Sequence, residues 1–147
     1  MPQYAYPSAD TYLGTWKDQG GGGTNIYTTI DEPAPRSDAD YIESIAKPLN
    51  APYVTKLTAV IDPGVSTGHV LHVAHAKDSA AGDAISLVVE LRQGYVNEGT
   101  PGTLIATWTY NNISEVFTQK DEALTGPQAD AITDYSNLYL RFVANQG

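Results

Sequence analysis

A chain of 147 residues without cysteine is predicted to form one domain whose core is held without disulfides, and it offers no thiolate for metal binding or nucleophilic attack. Eight Lys and Arg against seventeen Asp and Glu give a formal charge of −9, which repels phosphate backbones and anionic lipid and so disfavours nucleic-acid and membrane partners. No apolar run approaches the ~20 residues of a membrane-spanning helix. The N-terminal "MPQYAYPSAD" has neither the basic nor the apolar region of a secretory signal, so synthesis in the cytoplasm is expected.

In chain order, the Pro-flanked "PQYAYP" reads as an extended arm, residues 1–9, ahead of a domain over 10–147. A short strand is predicted near 10–16. The four glycines 20–23 follow Trp16; they lack side chains to fix a shape, and no Lys follows as a phosphate-cradling loop would need, so they read as a flexible surface connection. Short strands near 26–30 and 40–45 flank the acidic stretch "IDEPAPRSDADYI". "YVTKLTAVIDPG", 53–64, aligns Leu57, Ala59 and Ile61 and stops at an Asp-Pro-Gly turn.

"GHVLHVAHAKD", 68–78, places Leu71 and Val73 together. Alternation is clearest in "AISLVVELRQG", 84–94, where Ile85, Leu87, Val89 and Leu91 share one face. "TLIATWTY", 103–110, sets Leu104, Ala106 and Trp108 on a common face, and "SEVFTQKDEAL", 114–124, is a weaker strand around Phe117. One helical turn is predicted over 126–133, with Thr125 as N-cap and Pro127 in the first turn. In "NLYLRFVA", 137–144, Leu138, Leu140 and Phe142 point one way, Asn137, Tyr139 and Arg141 the other. About eight half-buried strands parted by turn clusters predict an all-β antiparallel sandwich, jelly-roll-like, with one short helical turn before the last strand.

The three histidines, His69, His72 and His75, do not read as a metal cluster. On a strand His72 opposes the other two, and those are about 20 Å apart, too far for one zinc. Asp31, Glu32, Asp38 and Asp40 read as turn-forming side chains, with a loop-bound Ca²⁺ as the alternative. No nucleophile elbow or zinc-protease motif is present, and the chain is read as non-enzymatic, without catalytic, cofactor or metal residues. Ten tyrosines and two tryptophans supply low-entropy contact area suited to interfaces, or to stacking on sugar rings.

Three stretches, "PSADTYLGTW" with "IYTTIDEPAPRSDADYIES", "DPGVSTGHVLHVAHAKD…AISLVVELRQG" and "LTGPQADAITDYSNLYLRF", span residues 7–143. In their order the chain resembles small virion-associated β-sandwich proteins of tailed bacteriophages and prophages. The resemblance implies a head decoration, cement or minor capsid protein located in the virion, trimeric on the particle, with the major capsid protein or other virion proteins as partners. It makes Asp31, Glu32, Asp40, Tyr41, Asp134 and Tyr135 framework. The expected interface is Tyr4, Tyr6, Pro7 and Tyr12, as arm and anchor. The alternatives are a carbohydrate-binding module used for adhesion and a tail- or neck-associated structural protein.

Overall fold

Apolar and polar residues that alternate along the chain become the two faces of a five-stranded antiparallel sheet. The computed structural model describes residues 2–33, 37–79 and 82–146. The sheet is built from β1 (Pro7–Tyr12), β4 (Ala51–Leu57), β6 (Ile85–Gln93), β7 (Thr103–Tyr110) and β9 (Leu138–Gln146), in the spatial order β1-β4-β9-β6-β7. Two short ribbons complete the fold. β2 (Lys17–Asp18) pairs with β3 (Ile42–Glu43), and β5 (Val70–His75) pairs with β8 (Thr118–Ala123). The chain is thus all-β and sandwich-like, with nine strands among the described residues, every pair antiparallel.

Registry aligns the core in rows across the sheet. Tyr53 faces Phe142, Phe142 faces Val89 and Val89 faces Trp108; one row on, Thr55, Leu140, Leu91 and Ala106 line up. Because the side-chain period is two, a one-residue slip would turn this whole set to the opposite face, so burial itself specifies the register. Trp16, Ile26, Leu57 and Ile132 close over the same core, with Leu71 and Val73 of β5 packed against it.

Several predicted elements shift. β1 begins at Pro7 rather than near 10 and ends at Tyr12, so residues 7–9 of the expected arm belong to the sheet. The stretch near 26–30 is not a strand but a 3₁₀ turn, Ile26–Thr29. Its first amides are taken by a side chain: Ile26 N and Tyr27 N donate to the two oxygens of Asp10 at 2.8 and 2.9 Å. β8 starts at Thr118, and Phe117, the expected centre of that strand, packs against Tyr41 instead, at 5.8 Å between ring centres and 48° between planes. The helical turn α1 (Gly126–Asp130) is shorter than predicted, but its cap is as read. Thr125 accepts from Gln128 N, and the Gln128 side chain accepts from Thr125 N, a reciprocal capping box.

The glycine run has a definite shape. Gly20 N and Gly22 N both donate to Asp18 Oδ1 at 2.8 Å, and Asp18 N donates to Gly22 O at 2.9 Å. A Cβ at Gly22 would lie 2.6 Å from Asp18 Oδ2, so the backbone reaches the carboxylate only because no side chain intervenes. This is a loop folded around one carboxylate, not the shapeless connection expected.

The outward face of the sheet is covered in part by the β6–β7 connection. Tyr95 from that loop packs on Tyr139 at 5.7 Å, and with Val54 they form a second small buried cluster. Tyr139 faces outward as predicted, yet it is buried. Beside it Arg141 donates to both oxygens of Glu98 and to Glu90, and Arg92 also pairs with Glu90. Hydrogen bonds from Arg141 hold the Glu98 carboxyl below the usual carboxylate range.

Truncating the cation, Arg141→Met, is expected to cost about 1–2 kcal/mol at neutral pH, since the network is partly screened by solvent. A carboxyl that titrates lower when folded contributes stability above its ordinary value and loses it as pH falls through the folded one. The stability gap between wild type and variant in urea should therefore be full at pH 7 and close as pH falls below the ordinary carboxylate range. A gap that stays constant across that span would contradict the pairing.

Candidate functional site

The arm is short and pinned. Gln3 Nε2 donates to Ile61 O at 2.9 Å, and Ile61 N donates back to Gln3 Oε1 at 2.8 Å. Tyr6 N donates to Thr58 Oγ1, and Thr58 N to Tyr6 O at 2.8 Å. Residues 3–6 therefore extend the β1–β4 pairing alongside 58–61. Tyr4 and Tyr6 lie with ring centres 6.1 Å apart and planes inclined by 20°. Tyr4 is 57% exposed and Ile61, held beside it through Gln3, is 77% exposed.

Of the four expected interface residues, Tyr4, Tyr6 and Pro7 are gathered at this end, with Pro7 opposite Leu57 at the start of β1. Tyr12 is not. It stands at the far end of β1, opposite Val54, five residues and roughly 16 Å along the strand from Pro7. Ile61 is the residue that sequence misses: the 53–64 alternation sets it on a strand face, but β4 stops at Leu57 and Ile61 lies in the loop beyond.

The histidines separate as the strand period requires. His72 points outward, with Nδ1 2.6 Å from Asp121 Oδ1; that contact draws the Asp121 carboxyl below its ordinary value. His69 Nε2 meets the Tyr135 hydroxyl at 2.8 Å. His75 turns inward and packs against Tyr110, ring centres 4.5 Å apart and planes inclined by 39°. Among the described residues no group of three or more His, Asp or Glu side chains is placed to hold a metal ion. Asp31, Glu32, Asp38 and Asp40 make no such group, and Asp40 instead accepts from Gln19 at 3.2 Å. Residues 34–36 of that acidic loop lie outside the described residues.

Compared with models of known families, with curated proteins and with solved structures, the chain matches none of them. The site must be judged on its own geometry.

Two of the surface clefts among the described residues bear on a site. One, of about 180 Å³, lies between the 62–66 loop and α1, lined by Asp62, Ser66, Asp130 and Tyr135. Nearby carboxylates add to burial in raising the Tyr135 phenol above its usual value. The other, of about 380 Å³, opens where β7 ends, between His75, Tyr110, Asn112, Ser114, Thr118 and Lys120. The sequence signal for the second was the polar turn "YNNIS", 110–114, together with the inward position of His75. Neither specified that the two meet.

Proposed function

We propose that this chain is a non-enzymatic assembly module that attaches to a larger particle, a phage capsid in the reading its sequence supports, through its N-terminal end. The observation that carries the proposal is the pinned arm. Gln3 is bonded through both side-chain atoms to the Ile61 backbone, so the segments carrying the exposed Tyr4 and Ile61 are tied together on a fixed backbone. Rigid exposed aromatic and aliphatic groups lose little entropy on docking, and such residues form the centres of protein interfaces. β1 carries register irregularities after Pro7 and Asp10, a device that keeps an edge strand from continuing the sheet into a neighbour. Contact through side chains at the arm is thereby favoured over strand addition along β1.

Tyr4→Ser combined with Ile61→Ser removes exposed groups only, so thermal stability should be nearly unchanged while co-sedimentation with undecorated particles is lost. Removing residues 1–5 should act likewise. Full occupancy by both variants would overturn the proposal. Tyr12→Ser serves as the comparison and should bind as wild type, because Tyr12 stands apart from the arm.

A further inference from the structure

The larger cleft lies at the β7 side of the molecule, the sheet edge opposite to β1 and its arm. His75 is 8% exposed on its wall, and neither ring nitrogen has a hydrogen-bond partner among the described residues. Buried polar groups without partners are uncommon and call for an explanation such as an unfilled ligand contact. Burial foremost, and the Lys120 ammonium after it, hold the imidazole below its ordinary pKa and so neutral at physiological pH. A neutral imidazole presents one donor and one acceptor, the combination that a hydroxyl can satisfy from either side.

The rest of the lining agrees in kind. Thr109, Ser114 and Thr118 carry hydroxyls, and Asn111 and Asn112 carry amides; Ser114 Oγ accepts from Val116 N and Thr118 Oγ1 donates to Val116 O, which leaves Ser114 a proton to donate and Thr118 a lone pair to offer. Asn112 has φ +48°, a left-handed turn residue whose backbone is set by the β7–β8 connection. The Tyr110 hydroxyl is already bonded to Glu122 at 2.9 Å, which leaves its ring as the apolar part of the wall. Lys120 is exposed at the rim with no ion pair among the described residues, whereas Arg92 and Arg141 are committed to Glu90 and Glu98. On a chain of charge −9 an uncommitted cation beside hydroxyls, amides and an unsatisfied imidazole marks a place for an anionic, hydroxyl-rich molecule. A volume of about 380 Å³ is at the small end of ligand sites and has room for one sugar ring, not for a chain of them.

We propose that this cleft binds a single acidic sugar of the uronic-acid class, its carboxylate paired with Lys120 and its hydroxyls bonded to His75, Asn112 and the neighbouring side-chain hydroxyls. The site is independent of the arm, so either assignment can fail without the other. Titrating the full chain with glucuronate, and following backbone amides by NMR, should give saturable shifts confined to residues 109–114, 118–120 and 75, with a millimolar Kd for so small a ligand.

Glucose, the neutral counterpart, should bind at least about tenfold more weakly, and Lys120→Gln and Asn112→Gly should each weaken glucuronate by a comparable factor. Both variants keep the fold within reach, the first at an exposed position and the second at a backbone conformation that glycine adopts freely. Methyl glucuronide binding like the free acid would identify a glycan terminus as the ligand; binding of the free acid alone would identify a soluble metabolite. Absence of saturable shifts, acetate binding as well as glucuronate, or undiminished binding by Lys120→Gln would each overturn the assignment.

Discussion

Replacing Asp10 by alanine is expected to lower the unfolding free energy by about 3–4 kcal/mol, read from urea denaturation with an unchanged m value. One carboxylate receives three donors: Tyr53 Oη at 2.7 Å, Tyr27 N at 2.9 Å and Ile26 N at 2.8 Å. It joins an edge strand, the centre of the core and the start of the 3₁₀ turn. Tyr53 is fully buried, 0% exposed, and burial together with Asp10 pushes its phenol well above the ordinary value, so it remains a donor at any physiological pH. Alanine leaves all three donors without an acceptor, at about 1–3 kcal/mol for each truly buried one.

Asn at position 10 is no substitute. It puts an N–H where one carboxylate oxygen now accepts, and it should cost about 2 kcal/mol. The decisive measurement is the cycle with Tyr53→Phe. Alone, Tyr53→Phe should cost about 1 kcal/mol; with Asp10→Ala present it should be neutral or stabilising, because it removes a hydroxyl that has nothing to bond. Additive losses would show that Asp10 does not hold Tyr53.

Trp16→Ala should be at least as damaging, about 3–5 kcal/mol, with the thermal midpoint lowered by about 10–15 °C. The indole is 7% exposed and lies against Tyr53 at 5.9 Å and Phe142 at 6.5 Å, and its Nε1 donates to Ala51 O at 3.1 Å. Removing it opens a cavity over the central row of the sheet and orphans a carbonyl. Trp16→Phe should recover most of the packing but not the hydrogen bond, for a residual loss of about 1–2 kcal/mol. Trp16 also precedes the glycine loop wound on Asp18, so its anchoring, beside the β2–β3 pairing, helps tie that loop to the core. A loss under 1 kcal/mol for Trp16→Ala would mean that the loop, with its tryptophan, is only loosely docked.

Much of the sheet was legible because its signal is local. In 84–94 and 137–144 the period-2 pattern separates two faces within a single strand, and the structure places Val89 and Phe142 in one row as those patterns require. In 103–110 the expected face of Leu104, Ala106 and Trp108 is broken: a register shift between Leu91 and Arg92 on the paired strand leaves Leu104 exposed and turns Ile105 into the core. Thr125 with Gln128 three residues on is likewise a short-range signature that the structure keeps. The failures share the opposite property. Residues 26–30, rich in Thr and Ile, have strand propensity, yet the amides of Ile26 and Tyr27 turn to a carboxylate on a strand distant in sequence. Propensity yielded there to a tertiary hydrogen bond. The glycines 20–23 gave no shape by themselves, since the shape comes from the Asp18 carboxylate that their bare backbone surrounds.

By itself, then, the sequence determined the structural class, the inward faces of β6 and β9, and the capped turn before β9, because alternation and capping depend on neighbours two to four residues apart. Only the tertiary structure decided the order of strands, the burial of outward-facing Tyr139 beneath Tyr95, the pairing of the arm with Ile61, and the cleft at His75 and Lys120. Each of those depends on groups far apart in the chain, and no local periodicity encodes which loop will fold back over which face.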